Sequence, residues 1–374
     1  MKVRQCIQSI TLRNQQIKTE TVLKTGKQYS SIPAMRLLIY SDLQATDGSE
    51  LCFNQPGLTL QHYRTKRFFD DLARLYVKHA CDGVVDLGDT TDDRAAIPMP
   101  TLEVLGAGIA KLPDGSHWKL TGNHEQFLRD TSVNNRRLFE HRFNVVDNRE
   151  IKLLDGLYMF FASYPANHLE LAEWLLKETR HIRGPKVLFG HFQVEGAFFN
   201  NSTALTGVPK SVLSKFDLVL LGHIHIPQAV TPKIHYVGSP FQQDWGEANQ
   251  AKRVGIVDTH TLTVEWIPLT GYPEYRAVTL AEFNAIAEDT TEHRYRVTLN
   301  NHAEAEQYFR HPHFRRASAD YNYDETPAEP LVETQDWTFE GMCRRYLKLM
   351  PPANTGIEFS TEEMLDVTAQ IIKG

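Results

Sequence analysis

The stretch "GVVDLGDTTDD", residues 83–93, places Val84, Val85 and Leu87 directly before a corner built from Gly88, Asp89, two threonines, Asp92 and Asp93. A short continuous apolar run predicts a strand buried on both faces. The same shape recurs along the chain. "RLLIY" (36–40) runs into "SDLQ" (41–44), and "HWKL" into "TGNHE" (121–125). "KVLFGHF" (186–192) and "FDLVLLGHIH" (216–225) repeat it, while "LYMFFAS" (157–163) and "KIHYVGS" (233–239) end in plainer polar corners. Between these runs, residues 61–80 set Phe68, Phe69, Leu72, Leu75 and Tyr76 at helical spacing, and 102–110 read as a second helix. Strands alternating with helices predict an α/β core with its polar clusters along one sheet edge, where such folds place their sites.

Five of these corners carry metal-ligand residue types. Asp, Asn and His together suit divalent cations of intermediate hardness such as manganese, iron or zinc. In Gly222-His223-Ile224-His225 the strand period of two points both imidazoles to one side, provided that the chain there is extended. The glycines before Asp89, Asn123, His191 and His223 suit tight strand-to-loop turns. Any one of these pairs also reads as an ordinary turn. Five in succession, each closing an apolar run, do not read as coincidence.

The composition frames this reading. A chain of 374 residues with 41% hydrophobic and 23% charged residues is that of a globular protein large enough for one big domain and an appendage. The net charge of −6 announces no global basic field, although a local basic patch beside an acidic metal centre is invisible in that total. Cys6, Cys52, Cys81 and Cys343 lack paired spacing, which argues for a reduced, cytoplasmic setting and against a cysteine zinc site. No apolar run approaches the ~18–20 residues of a membrane span. Residues 1–34 read as an N-terminal extension, with a transit peptide as the other reading. Residues 252–269 read as a closing hairpin, 294–300 as a strand, 303–310 as a helix, and 317–335 as a polar loop or linker. Helices over 338–349 and 361–372 end the chain.

The ordered set Asp42-x-Gln44, Gly88-Asp89-x-x-Asp92, Gly122-Asn123-His124-Glu125, Gly190-His191 and Gly222-His223-x-His225 resembles the calcineurin-like metallophosphoesterase superfamily over about residues 36–270. Within it the chain most resembles the SbcD-type DNA repair exonucleases, phage-encoded members included. The single-chain layout, the segment "KIHYVGSPFQQDWGE" (233–247) and a small C-terminal region carry that narrower likeness. The resemblance implies a layered β-sandwich flanked by helices, with a catalytic domain over 35–272 and a small α+β accessory domain over 273–374. It implies two divalent metals, manganese first and magnesium, iron or zinc as alternatives, that share Asp89. Asp42, His225 and whatever Gln44 contributes complete the first site; Asn123, His191 and His223 complete the second. His124 is then the proton donor or transition-state stabiliser, with Asp92 orienting it and Asp93 competing for that role.

Gln44 departs from the family pattern, which has histidine there. An amide oxygen is a neutral, hard donor that suits Mn²⁺ or Mg²⁺ better than softer ions. The other reading is a glutamine that only hydrogen-bonds its loop. DNA is the expected substrate, gripped through Arg64 and Arg67, with Lys66, Arg129, Arg136 and Arg137 as further cations and Phe198 and Phe199 as stacking platforms. Solvated helix charge and loop packing are the plainer readings of the same residues. A small phosphodiester, a nucleotide or a phosphoprotein is the alternative substrate, and a non-catalytic scaffold the alternative class. The resemblance also implies an SbcC-type ATPase partner docked through the C-terminal region, and a homodimer is a further expectation.

Overall fold

Along β1 (Arg36–Tyr40) all four apolar residues are buried, but in two different layers: Leu37 and Ile39 join one core cluster, and Leu38 and Tyr40 another. The pleat of a strand covered on both faces produces that split. In the computed structural model, residues 35–322 are described except 49, 53–56, 129–132, 200–204 and 287–290. Strands β2 (Gly83–Asp86), β3 (Ser116–Leu120) and β4 (Asn144–Val146) continue in parallel from β1. The hairpin β11 (Lys252–Asp258) and β12 (Thr263–Leu269) closes the other side of β1 antiparallel, completing a six-stranded sheet.

A second six-stranded sheet faces the first. Its hairpin β5 (Arg149–Leu154) and β6 (Leu157–Ala162) leads into parallel β7 (Lys186–His191), β8 (Leu218–Gly222) and β10 (Ile234–Tyr236), with β9 (Gln228–Thr231) antiparallel at the edge. Leu37, Ile39, Val85 and Leu120 from one sheet share a core with Met159, Phe161, Phe189 and Leu220 from the other. Helices α1 (Leu60–Lys78) and α2 (Met99–Ile109) pack Phe68, Phe69, Leu72 and Ile109 over the outer side of the first sheet. Helices α3 (His168–Thr179) and α4 (Lys210–Leu213) cover the second with Leu171, Leu175 and Val212. The protein is therefore α/β, a layered β-sandwich flanked by helices. Among the described residues no helix is long and apolar enough to cross a membrane.

A small α+β module follows: the parallel strands β13 (Tyr275–Thr279), β14 (Arg294–Leu299) and β15 (Ala317–Tyr321), with α5 (Leu280–Asn284) and α6 (His302–Arg310). Strand β15 corrects the expected loop over 317–335 in its first five residues. It is a polar edge strand, half-buried to exposed, so it carries no apolar signature of its own and exists by pairing with β14. Residues 323–335 and the helices expected over 338–349 and 361–372 lie outside the described residues. The chain divides into two compact units between Tyr321 and Asn322, so β13–β15 go with the sandwich. Their attachment is specific. The Tyr275 amide donates to Gln242 Oε1 at 2.6 Å, and Arg294 bonds Glu50 and the Leu51 carbonyl, both at 3.0 Å.

Arg64 belongs to this attachment, which corrects its expected place as a phosphate contact. It is 1% exposed, donates to the Pro273 carbonyl at 2.8 Å and lies 5.0 Å from the Tyr275 ring centre and 5.8 Å from that of Phe241. Burial opposes its charge, and its neighbours keep it paired. Arg64→Ala is expected to lower stability by about 2–3 kcal/mol through lost packing and a lost charged hydrogen bond. Chemical denaturation measures this, and an unchanged midpoint would contradict the structural role.

Candidate metal centre

The seven residues read as ligands lie where strands stop: Asp42 and Gln44 after β1, Asp89 after β2, Asn123 after β3, His191 at the end of β7, and His223 and His225 after β8. Two corners run side by side, with the amides of Asp42 and Gln44 donating to the carbonyls of Gly88 and Asp89 at 2.9 Å each. Asp42, Gln44, Asp89 and His223 all have left-handed backbones, with φ of 54°, 52°, 54° and 88°. Each such conformation costs of order 1–3 kcal/mol outside glycine, so the surroundings hold these residues against a local preference. Gly88 takes φ 104°, and a Cβ there would meet His191 Nδ1 at 2.7 Å. At Gly122 a Cβ would sit 2.0 Å from Asp89 Oδ1, so only glycine lets this carboxylate through.

The side chains form two adjoining groups. In one, His191 Nε2 lies 3.2 Å from Asp89 Oδ2 and 3.3 Å from Asn123 Oδ1, and His223 Nδ1 lies 2.7 Å from the same Asn123 oxygen. One ligand atom each from Asp89, His191 and His223 falls within 4.8 Å of the others. His191 Nδ1 donates to the Leu87 carbonyl at 2.7 Å, which turns Nε2 toward the cluster; burial opposes its charge, but Asp89 outweighs that and lifts this histidine to about 9, so Nε2 gives up a proton before it can hold a cation. In the other group, His225 Nδ1 donates to Glu247 Oε1 at 2.7 Å and presents Nε2, 3.4 Å from the Gln44 amide nitrogen. Gln44 is 6% exposed and turned toward His225, not outward on its loop. Both Asp42 oxygens lie 3.1 Å from the His223 amide that donates to them, a contact that ties the two groups together.

His-x-His does not behave as an extended pair. Strand β8 ends at Gly222, His223 adopts a positive φ, and the two imidazoles serve different groups. The strand period does not apply at a left-handed residue.

The donors fit divalent cations. Two fully buried carboxylates, Asp42 and Asp89, stand together with no free lysine or arginine beside them among the described residues. Lys119 is committed to Asp86 and Glu125, and Lys252 to Glu247. Burial raises the Asp42 carboxyl above its usual range against the pull of His191 and His225. Burial also opposes the charge of Asp89, but His191 and His124 outweigh it and hold that carboxyl low. Burial, with His191 adding to it, takes His223 down to about 3, so its imidazole is neutral and keeps a lone pair. Carboxylate and amide oxygens with imidazole nitrogens, which bind in their neutral form, are the donor set of manganese, iron or zinc.

At the rim, His124 is one-third exposed. Its backbone amide donates to Asp89 Oδ1 at 2.8 Å, and its Nδ1 lies 2.9 Å from Asp92 Oδ1 and 3.0 Å from the Asp92 carbonyl. The Asp92 hydrogen bond, opposed by burial and helped by the Asp89 charge, lifts this histidine to about 9. Asp93 instead accepts from Thr46 Oγ1 at 2.9 Å. A cleft of about 420 Å³ opens on Asp89, Asn123, His124, Tyr164, His223 and Phe199.

Three supporting groups were not read from the sequence. Glu125, inside "TGNHE", carries no mark of its role in the sequence. It is buried, and its carboxylate accepts the amides of Asp89, Thr90 and Gly122 at 3.2, 3.1 and 2.9 Å, with Lys119 Nζ 2.6 Å away. Burial opposes the charge of Lys119, but Asp86 and Glu125 hold its pKa above the ordinary lysine value. Glu247 backs His225, and Gln193 stands 3.2 Å from His223 Nε2. Of the expected substrate contacts, Phe199 lines the cleft, and Phe198 is exposed, with its backbone fixed to the Gln228 side chain. Arg67 is half-buried, its guanidinium turned to the Thr270 carbonyl and the Tyr272 ring. Lys66 and Arg137 are exposed, and Arg136 pairs with Glu140 and Asp147. Arg129 lies outside the described residues.

The chain resembles the calcineurin-like metallophosphoesterases in the order of its motifs. Within the class the resemblance is to SbcD-type nucleases. The chain is 24% identical over 198 residues to exonuclease subunit 1 of Enterobacteria phage T4, covering 49% of this chain and 55% of that protein. It is 30% identical over 92 residues to the SbcD component of the SbcCD nuclease of Staphylococcus saprophyticus, covering 22% and 24%. The chain thus spans about half the length of the first relative and a quarter of the second. No protein-family model matches. Two solved structures, an archaeal phosphodiesterase and a dimetal phosphatase from Danio rerio, each overlap 63% of this chain and 100% and 99% of their own. They do so at 13% and 11% identity with TM-scores of 0.33 and 0.39, too loose a match to carry an argument.

Lys119→Met would leave Asp86 and Glu125 buried without their cation, which is expected to cost about 3–5 kcal/mol. Because Glu125 holds the Asp89 corner, divalent-metal affinity should fall as well. Denaturation and calorimetric metal titration read the two effects. A folded variant with unchanged affinity would contradict the positioning argument.

Proposed function

We propose that this chain is a divalent-metal-dependent phosphodiester hydrolase, a nuclease of the SbcD type that acts on DNA. The observation that carries this reading is the convergence of Asp42, Asp89, Asn123, His191, His223 and His225 beside an open cleft with His124 at its rim. In this reading Asp89 serves both ions. Asp42, His225 and the Gln44 amide hold the first; Asn123, His191 and His223 hold the second. We assign manganese, because Gln44 supplies a hard oxygen once its amide turns, with magnesium, iron or zinc as the other fits. When bound, the ions supply positive charge to the phosphoryl oxygens and acidity to an attacking water.

His124 is the residue that moves a proton. Asp92 occupies its Nδ1, which leaves Nε2 to the cleft, placed to donate to the leaving oxygen or to the charge that builds on the phosphoryl group. Asp92 orients it. Phe199, with Phe198 beside it, offers a base a stacking surface at the cleft. Of the cations named above for that role, Lys66 and Arg137 are exposed and Arg67 is half-buried, and these are left to meet DNA phosphates. In this reading the protein is cytoplasmic, residues 35–272 form the catalytic domain, and 273–374 serve as the accessory region that docks an SbcC-type ATPase. The two curated relatives, each named as one component of a larger nuclease, support the partner assignment. Self-association as a homodimer belongs to the same proposal.

One observation favours a second substrate class. Among the described lining residues of the cleft there is no lysine or arginine, which suits a small phosphodiester or nucleotide better than a long polyanion. A scaffold without catalysis is disfavoured by Asp42, a fully buried carboxyl that burial raises above its usual range, a cost that bound cations would offset. The deciding assay sets end-labelled single- and double-stranded DNA against bis(p-nitrophenyl) phosphate, cyclic nucleotides and a phosphopeptide, each with Mn²⁺. DNA cleavage that weakens steeply with salt is expected. Turnover of small esters with intact DNA rejects the nuclease.

Two variants test the residue roles. His124→Ala should keep its metal content and lose about 10²–10⁴-fold in turnover, the usual size of a general-acid contribution; full activity would remove His124 from the mechanism. Gln44→His should bind its first metal ion more tightly in a calorimetric titration, and an unchanged isotherm would show that residue 44 is no ligand.

A further inference from the structure

Ile226 borders the metal cleft, and two residues later the chain enters β9, the edge strand of the second sheet. At the start of β9 the Gln228 side chain clamps the Phe198 backbone, accepting its amide at 3.0 Å and donating to its carbonyl at 2.8 Å. The strand then runs away from the metal edge. It pairs antiparallel with β10, whose last residue lies level with the end of β8 on one side and with Gln228 on the other. At the far end, Thr231 and Lys233 meet Lys210 and Ser211 of α4 around an open pocket of about 550 Å³ that shares no residue with the metal cleft. No carboxylate lines it among the described residues. Neither Lys210 nor Lys233 lies within ion-pair distance of a described carboxylate, whereas the exposed Lys111 and Lys177 are each paired. Asp217, two residues beyond the exposed Lys215, accepts the Lys186 amide at 2.9 Å. Lys210 also reaches the loop that presents Phe198, since a Cβ on Gly196 would sit 3.0 Å from its Nζ.

Two ammonium groups without counter-charge, flanked by the hydroxyls of Ser211 and Thr231, are complementary to a phosphate diester. The spacing suits a strand that has already engaged the cleft. From Gln228 to Thr231 the extended chain covers about 10 Å, and one strand of DNA rises about 3.4 Å per nucleotide. A base stacked at Phe198 therefore brings the backbone phosphate three nucleotides farther along to this pocket. We propose that the Lys210–Lys233 pocket holds a backbone phosphate of the DNA strand that leaves the metal cleft along β9. The inference rests on the nuclease reading and supplies, outside the cleft, the cations that the cleft lining lacks.

The test combines Lys210→Gln with Lys233→Gln in the full chain and follows kcat/KM against salt, with Mn²⁺, for an end-labelled single-stranded dodecamer. The double-logarithmic slope should flatten by about 0.7 for each lysine, the share of one single-strand phosphate contact. A dinucleotide, too short to reach the pocket, and bis(p-nitrophenyl) phosphate should be turned over as by the wild type. Lys210→Arg with Lys233→Arg keeps both charges and should keep the wild-type slope. An unchanged slope in the Gln pair overturns the site and spares the nuclease. So does an equal loss on the small ester, or an equal flattening per lysine from Lys78→Gln at the exposed end of α1. A wild type that leaves the dodecamer intact overturns the nuclease reading, and the phosphate site with it.

Discussion

The carboxylate of Asp89 is the constraint on which the site is built. It is buried, follows a glycine that no other residue could replace, and sits at a left-handed backbone. Nothing local favours that placement. Glu125 holds it from behind by accepting the amides of Asp89, Thr90 and Gly122, and Lys119 neutralises Glu125 from within the core. A paired ion network costs desolvation and offsets it only when every member is satisfied. Here Asp86, Thr90 and the Tyr40 hydroxyl complete it. The polar layer beneath the site is thus a rigid base for a strained corner.

The remaining ligand-type side chains reach Asp89 because parallel strands of both sheets end at one edge of the sandwich. The first sheet brings Asp42, Gln44 and Asn123; the second brings His191, His223 and His225. The apolar layer between the sheets fixes their relation, since Leu37 and Ile39 pack with Phe161, Phe189 and Leu220 on strands that run into the ligands or lie beside them. Packing and chemistry are coupled through the same strands. A substitution in that layer alters the site without touching it.

Much of this is legible in the sequence, for physical reasons. Strands covered on both faces leave unbroken apolar runs, and α1 leaves a helical stripe, so the α/β class and the polar strand ends can be read directly. What fails to show is anything settled by distant contacts. Arg64 looks like a solvated helix cation until Pro273 and Tyr275, far along the chain, enclose it. Glu247 carries no mark of its place behind His225, and Glu125 looks like any acid after a histidine. The left-handed turn at His223 breaks a strand period that the letters alone seem to continue. Strand β15 has no apolar pattern because it is a polar edge.

Metal stoichiometry tests the central claim most directly. Mass spectrometry of the intact protein under native conditions, after saturation with Mn²⁺, counts bound ions for the wild type and for Asp89→Asn. If Asp89 is the carboxylate shared by a two-ion centre, the wild type carries two ions per chain and the folded variant loses both. A wild type that binds none, or a variant that binds as the wild type does, would contradict it.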